Sequence, residues 1–406
     1  MENKKCIWII NGYAGAPKYG GGMYRHFYLA KEFNKLGYKT IIISGSYSHI
    51  FTSFPDMNGH IFKKETIDSI EFLWIKVIRY SGSFSKKRVI KWFEFVFKLF
   101  FIGRHIDKPD FIISSPTEPF PIIPAYYFSK KYKAKLICEV RDIWPLSLME
   151  IGGFSSNNPM IKIMSYLEKF AIKKSDTIVS NLENYSEHIK ELGFKKNVHW
   201  ISNGINLQDM MFQKNLPNKI CNLIPKDKFI IGYTGKIGIS NAIILLLEAA
   251  KALQHNKNLF FVIVGNGSEK NKLKKEFESL KNVIFINAIP KNQIQSMLKL
   301  FDVCYIGWMD RKLYKYGISA NKIFDYMYSG KCILQYINQK RTMISKYNCG
   351  IDIGFNNEDL AKAIEKISKF SKIELQNMGD NGKKYVLEYF TYEKLAQKYI
   401  SILESL

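Results

Sequence analysis

Lys5-Cys6-Ile7-Trp8-Ile9-Ile10-Asn11 is a short apolar run, followed by a turn carrying Gly20-Gly21-Gly22, a helical pattern from about Met23 to Leu36, Gly37, and the β-branched run Tyr38 to Ser44. The reading of this stretch decides the fold. The first apolar run is too short for the core of a signal peptide, and a strand accounts for it better. Gly37 stands where a helix C-cap belongs. Continuous apolar strands separated by a helix indicate a parallel sheet covered on both faces. Working outward, the same unit recurs at Phe111-Ile112-Ile113-Ser114, at Leu136 to Val140 and at Thr177-Ile178-Val179-Ser180.

The rhythm restarts in the second half. Phe229 to Thr234 reads as a strand, Asn241 to Gln254 as a helix, and Phe260 to Val264 as a strand closed by Gly265. Val283 to Ile286, Val303 to Ile306 and Cys332 to Leu334 continue the series, with a helix near Asn321 to Ser329. A chain of 406 residues suits two domains of about 200 each. The expected fold class is therefore α/β, with two Rossmann-like doubly wound parallel-sheet domains facing a central cleft. The boundaries drawn from sequence are a first domain at 1–206 and a linker at 207–226, marked by Pro217 and Pro225. A second domain follows at 227–380, and a helical segment at 381–406.

Composition narrows the function. Hydrophobic residues at 47% and charged residues at 24% describe a globular chain. No stretch reaches the roughly 18 apolar residues that span a bilayer, so a soluble or surface-attached protein is expected. The six cysteines (Cys6, Cys138, Cys221, Cys304, Cys332, Cys349) are scattered and form no C-x-x-C, which favours free thiols in a reducing cytosol over a metal or disulfide framework. The formal charge of +24 suits nucleic acid, an anionic membrane or phosphate-bearing substrates, and a Lys-rich composition also contributes to it. No zinc-finger spacing, RNP-type motif or separate basic tail is present, so a nucleic-acid partner is not expected.

Four places carry chemistry. Gly20, Gly21 and Gly22 lie between a strand and a helix, where backbone can approach an anion held at the helix N-terminus; a merely flexible connection is the other reading. They do not form the G-x-G-x-x-G of dinucleotide enzymes. Cys138-Glu139-Val140-Arg141-Asp142-Ile143-Trp144-Pro145 ends a strand in an Arg-Asp pair, at the edge where open α/β sheets place ligands. Arg141 suits a phosphate clamp and Asp142 a sugar hydroxyl, unless the two simply pair to tie a loop. Trp144 either fixes the turn or stacks on an acceptor sugar. Tyr233-Thr234-Gly235-Lys236 closes a strand before a helix, and Lys236 is expected to point into the cleft. Lys322 and Asp325 share one face of a helix, one suited to phosphate and the other to ribose hydroxyls, with a surface ion pair as the plainer reading.

Taken in order, these pieces resemble the GT4 family of glycosyltransferases, and within it the WbuB-like branch that builds O-antigen and other surface polysaccharides. The resemblance runs through the glycine loop, Leu36-Gly37-Tyr38, Val140-Arg141-Asp142-Ile143-Trp144-Pro145 and Ser202-Asn203-Gly204-Ile205. It continues through Tyr233-Thr234-Gly235, Phe261 to Gly267 and Asn321-Lys322-Ile323-Phe324-Asp325-Tyr326 with Gly330-Lys331. It implies a GT-B fold, a retaining transfer from a nucleotide-sugar donor, UDP-linked before GDP-linked, and no required metal or other cofactor. It implies that the second domain holds the donor and the first meets the acceptor, a lipid-linked saccharide, and that the terminal helix crosses back to the first domain. Asp325 is implied for the ribose, Lys236 and Lys322 for the diphosphate, and Gly20, Gly21, Gly22, Gly235 and Gly265 for the surrounding donor site. Arg141, Asp142 and Lys322 are taken as the catalytic set, and Trp144 and Asn203 as acceptor contacts.

Three departures from the family pattern stand out. Many members carry two glutamates eight positions apart, where this chain has Gly317 and Asp325. The common histidine at the acceptor-domain strand end is Arg141, and a second basic residue after Lys236 is replaced by Ala242. Lys322 is then expected to carry more of the phosphate charge. No protein nucleophile is assigned; the leaving phosphate takes the acceptor's proton, with cationic groups stabilising the developing charge.

The segment from Lys86 to Arg104 has a wide apolar arc with Lys91, Lys98 and Arg104 outside it. It reads either as an interfacial helix on an anionic membrane or as a core-packing helix. The expected location is cytoplasmic, peripheral to the inner face of the cell membrane. Two rivals stand beside this reading: a GT-B nucleotide-sugar epimerase and a basic membrane- or nucleic-acid-binding protein without catalysis. The seven histidines form no cluster of the kind an epimerase needs, and a binder has no use for paired glycine loops.

Overall fold

The computed structural model describes residues 4–22, 24–82, 85–339, 342–354 and 359–406; Met23, where the sequence reading opens the first helix, lies outside the described residues. The chain divides into two compact units. The first comprises Met1–Ser202 with Tyr316–Ile318 and Tyr392–Leu406, the second Asn203–Lys315 with Ser319–Thr391.

The first unit is built on eight strands: β1 (Cys6–Ile10), β2 (Lys39–Gly45), β3 (Phe62–Ile67), β4 (Ile70–Ile75), β5 (Phe111–Ser114), β6 (Lys135–Val140), β7 (Thr177–Ser180) and β8 (Val198–Trp200). Their order is β3-β4-β2-β1-β5-β6-β7-β8. Every pair is parallel except β3–β4. All five residues of β1 are buried because helices cover both faces of the sheet. Trp8, for example, meets the edge of Phe128 at 5.3 Å between ring centroids. Burying each such side chain contributes about 1.5–3 kcal/mol before entropy is charged against it.

The hairpin β3–β4 is absent from the sequence reading. Asp68 and Ser69 turn it with positive φ of 47° and 68°, the handedness that a two-residue hairpin turn requires. The sequence of β3, Phe-Lys-Lys-Glu-Thr-Ile, buries only Ile67, as suits a charged edge strand. Its apolar periodicity is too faint to see.

The second unit holds β9 (Phe229–Thr234), β10 (Leu259–Val264), β11 (Val283–Ile286), β12 (Val303–Gly307), β13 (Cys332–Tyr336) and β14 (Gly350–Ile353), in the order β11-β10-β9-β12-β13-β14. All pairs are parallel. The order reverses between β9 and β12, and in the first unit between β1 and β5. Ligand sites of open α/β sheets lie beyond the carboxyl ends of strands at such points.

The connecting segments differ in detail from the sequence reading. Residues 207–226 contain two short helices, Leu207–Met211 and Asn218–Cys221. The terminal segment is two helices, Lys372–Tyr389 and Tyr392–Glu404. The first packs on helix Asn321–Ser329 so closely that a Cβ at Gly379 would stand 1.9 Å from the Gly330 carbonyl oxygen. The second belongs to the first unit, where Tyr392 meets Tyr28 at 5.0 Å, Tyr399 meets Phe33 at 5.5 Å, and Glu404 accepts from the Tyr38 hydroxyl at 2.7 Å.

Candidate functional site

In the second unit, helix Asn321–Ser329 starts at the carboxyl edge of the sheet because it connects β12 to β13. It is fixed to the end of β9: the Thr234 amide donates to the Tyr326 hydroxyl at 2.8 Å. This brings Lys322 beside the glycine turn after β9. Its Nζ donates to the Tyr233 hydroxyl at 2.7 Å and to Asn241 Oδ1 at 2.8 Å, and it lies 4.2 Å from the Tyr233 ring centre. A Cβ at Gly235 would come within 3.1 Å of that nitrogen. No carboxylate pairs with Lys322 among the described residues, and desolvation pulls its pKa from 10.5 to about 7. An ammonium held by neutral partners favours an arriving anion, which supplies the missing counter-charge.

The neighbouring turns interlock. Gly235 N–H donates to the Val264 carbonyl at 2.9 Å, and Gly265 has φ of 151° with no room for a side chain: a Cβ there would stand 1.8 Å from the Gly235 oxygen. Only glycine satisfies both demands. Lys236 is exposed, and its carbonyl accepts from the Tyr233 hydroxyl at 2.7 Å. Asp325 is buried on the same helix as Lys322, yet the two do not pair. Asp325 instead receives Lys291 Nζ at 2.5 Å on each carboxylate oxygen. Asn203 belongs to this unit; it is buried, and its backbone N–H donates to Ser319 Oγ at 2.9 Å while its side-chain amide donates to the Ser319 carbonyl.

In the first unit, the carboxyl ends of β1, β5 and β6 gather a charged cluster. Glu139 Oε1 accepts from Arg25 at 2.8 and 3.2 Å, and Glu139 Oε2 lies 3.1 Å from His26 Nε2, which is also 2.8 Å from Ser115 Oγ. Burial opposes the Glu139 charge, but Arg25 and His26 overcome it and hold the carboxyl well below its usual range. Burial lowers the His26 pKa, against the pull of Glu139. Arg141 follows on the same strand, and its Nε is buried without a partner. Asp142 is exposed and, among the described residues, forms no ion pair with Arg141, so the loop-tying pair allowed by the sequence is not formed.

A small pocket of about 50 Å³ opens beside this cluster, lined by Ser114, Glu118, Glu139, Asp142 and Trp144 among others. Trp144 lies edge-on to Trp92 at 5.8 Å. Glu118 is buried with one carboxylate oxygen unpartnered. Burial pushes its pKa up to about 7 against the Lys91 charge, and burial pulls Lys91 down to about 7 against Glu118. Gly20, Gly21 and Gly22 all have positive φ; Gly20 and Gly21 pack on residues 50–52, where a Cβ at Gly20 would meet Thr52 Oγ1 at 2.0 Å, while Gly22 has open space around it.

Lys91 corrects the sequence reading. Expected on the open face of its helix, it is instead 1% exposed, with Nζ donating to the Gly12 carbonyl at 2.9 Å and lying 3.4 Å from the Tyr13 ring centre. Helix Lys86–Leu99 packs one side into the core, where Trp92, Phe95 and Leu99 are buried, and leaves Ile90, Phe93, Phe97 and, beyond its end, Phe101 exposed. The departure at Gly317 also has a cause. With φ of 110° and a virtual Cβ 2.6 Å from the Glu183 nitrogen, the position admits no side chain, glutamate included.

Arg25, His26, Glu118, Glu139 and Lys291 were not identified from sequence as site residues. Glu139 alone left a trace, as a carboxylate inside an apolar strand. Among the described residues, no helix is long and apolar enough to cross a membrane, and no group of three His, Cys, Asp or Glu side chains is placed to hold a metal ion.

Comparison with known proteins follows the two halves of the chain. Residues 19–209 match the Glycosyltransferase Family 4 model, and residues 218–385 match Glycosyl transferases group 1. No curated protein matches. Sucrose-phosphate synthase from Thermosynechococcus elongatus superposes with a TM-score of 0.72 at 14% identity, over 99% of each chain. Trehalose-6-phosphate from E. coli, bound with UDP-2-fluoro glucose, gives 0.73 at 11% identity over 98% of this chain and 99% of that one. Anabaena Alr3699/HepE in complex with UDP and glucose gives 0.66 at 14% identity over the full length of both. Identities this low establish the fold. With consecutive family matches over both halves and the two parallel-sheet units described above, the chain is a GT4-type glycosyltransferase of the GT-B fold.

Proposed function

We propose that this enzyme is a retaining transferase of the WbuB-like branch that moves a hexosyl or N-acetylhexosaminyl group from a UDP-sugar to a lipid-linked saccharide in surface-polysaccharide synthesis. The observation that carries the donor half is Lys322, an ammonium desolvated beside Gly235 with, among the described residues, only a phenol and an amide oxygen for partners. A diphosphate supplies the charge it lacks. Lys236 adds an exposed cation one residue beyond Gly235, and Asp325 accepts the ribose hydroxyls. The binding of UDP and glucose by Anabaena Alr3699/HepE, a protein of the same fold, supports UDP as the nucleotide.

In the reaction, the bond between sugar C1 and the β-phosphate oxygen breaks as the acceptor oxygen bonds to C1 from the same face. The acceptor proton passes to the leaving phosphate. Lys322 stabilises that phosphate as negative charge builds on it. Lysines take the role that a divalent cation plays elsewhere, so we assign no metal. In the first unit, Arg141 offers an unpartnered guanidinium nitrogen, Asp142 an open carboxylate and Trp144 a ring for stacking on the acceptor.

The acceptor's lipid places the enzyme at the inner face of the cell membrane. Support comes from Phe93, Phe97 and Phe101, exposed at 48%, 65% and 52% near the basic run Lys86-Lys87-Arg88. The direct test incubates the enzyme with UDP-, GDP- and dTDP-sugars and membrane lipid extract, with and without EDTA, and follows nucleoside diphosphate release. Lipid-dependent release of UDP that survives EDTA is expected. Release from none of the donors, or equal release without lipid, refutes the proposal.

A further inference from the structure

Asp325, the carboxylate assigned to the ribose, is already occupied. Lys291 Nζ stands 2.5 Å from both of its oxygens, in the bite between them. The two side chains are unequal: that of Asp325 is 11% exposed and that of Lys291 58%. The carboxylate is therefore a fixed, nearly buried group, and the lysine is a long stem reaching it from solvent.

The main chain around each partner is anchored. Asp325 sits within helix Asn321–Ser329, and its carbonyl accepts from Gln295 Nε2 at 3.0 Å. Lys291 begins a short turn of helix whose next residues are tied down: the Asn292 carbonyl accepts from Lys214 N–H at 2.7 Å, Gln293 Nε2 donates to the Asn215 carbonyl at 3.1 Å, and Ser296 Oγ donates to the Lys214 carbonyl at 2.8 Å. Only the Lys291 side chain is free to leave, and its departure strands no buried charge of its own. A cis-diol presents two hydroxyls to a carboxylate through the same bite that the ammonium fills, so both cannot hold it together.

We propose that Lys291 is a positioning residue of the donor site: its ammonium holds the Asp325 carboxylate oriented in the free enzyme, and the ribose diol takes its place. This rests on Asp325 being the ribose acceptor. Nucleoside binding then exchanges an ion pair for two hydrogen bonds. Because the pair is half in solvent, the exchange costs little, on the order of a surface salt bridge.

The test uses uridine, a neutral nucleoside, with guanosine in parallel, measured by calorimetry on the full chain. Lys291→Met is expected to bind uridine about two- to five-fold tighter than wild type, because no cation has to be displaced. Raising KCl from about 50 to about 500 mM should tighten uridine binding to the wild type, by screening the resident pair, and leave Lys291→Met unchanged. Lys291→Arg should restore the salt response. Weaker uridine binding by Lys291→Met would mean that the ammonium contacts the nucleoside itself, and equal binding with no salt response would mean that the pair is incidental; either overturns the inference. Asp325→Ala separates the two levels. If it leaves uridine, guanosine and UDP binding at wild-type strength, or if the wild type binds none of them, the donor-site reading fails and the exchange fails with it. If Asp325→Ala abolishes binding, the outcome for Lys291 judges the exchange alone.

Discussion

Binding of a UDP-sugar should draw a proton onto Lys322. In the free enzyme, desolvation without a carboxylate partner holds this ammonium near pKa 7, far from the ordinary 10.5. A diphosphate beside it stabilises the charged form and restores a high pKa. A UDP-sugar is the right probe because its diphosphate is a diester with no proton to lose in this range. Below about pH 7 the lysine is already charged and affinity is flat; above it, each complex must first gain a proton, and the apparent Kd grows about tenfold per pH unit. From about pH 6 to about pH 8.5 the loss is about 30-fold, or about 2 kcal/mol. Calorimetry at about pH 8 in buffers of different ionisation enthalpy should report uptake of about 0.9 proton. Tyr233 does not confuse the result, since burial pushes its phenol well above the range measured. Lys322→Arg should bind with a flat profile, and Lys322→Met weakly with a flat profile. A flat wild-type curve, or the same slope in Lys322→Met, refutes the assignment of Lys322 to the diphosphate.

Other perturbations probe the remaining parts. Asp325→Ala should cost about 2 kcal/mol or more of donor binding, read as a raised KM for the sugar nucleotide, with an unchanged circular dichroism spectrum. Gly265→Ala forces a methyl group into the Gly235 carbonyl and should lower stability by about 3 kcal/mol in denaturant unfolding, with loss of donor binding. Arg25→Met leaves Glu139 buried with its main counter-ion gone and should cost about 3–5 kcal/mol. Because the folded pKa of Glu139 lies below its unfolded value of 4.5, its stabilising contribution is complete above that value and is lost as pH falls; Glu139→Gln should flatten this acid limb of the stability curve. Phe93, Phe97 and Phe101 changed together to Ser should release the enzyme from anionic vesicles in co-sedimentation. Lys91, buried beneath Tyr13, must be left alone in any charge-reversal version.

Reading the sequence succeeded where one local pattern carried the signal. The strands of both sheet centres are continuous apolar runs, and the glycines after β1, β9 and β10 mark turns in which the backbone takes positive φ. It failed where a fold-level contact decides the outcome. The strand β3 is charged because it is an edge, and only the sheet order reveals that. Lys91 has the composition of a surface lysine, and its burial follows from the Gly12 carbonyl and Tyr13 ring brought over it by the end of β1. The terminal helical pattern conceals a break at Phe390-Thr391, after which the chain joins the other unit.

The sequence by itself determined the class of fold, the family and the positions of the glycine turns that follow the strands, because periodicity and glycine placement are local properties of the chain. Tertiary structure decided which charges are paired and which are not. Lys322 and Asp325 lie three residues apart on one helix and look like partners, yet each is held by a residue more than thirty positions away, Lys322 by Tyr233 and Asp325 by Lys291. The strength of an ionic group depends on its desolvation and on its neighbours in space, and neither is written in spacing along the chain.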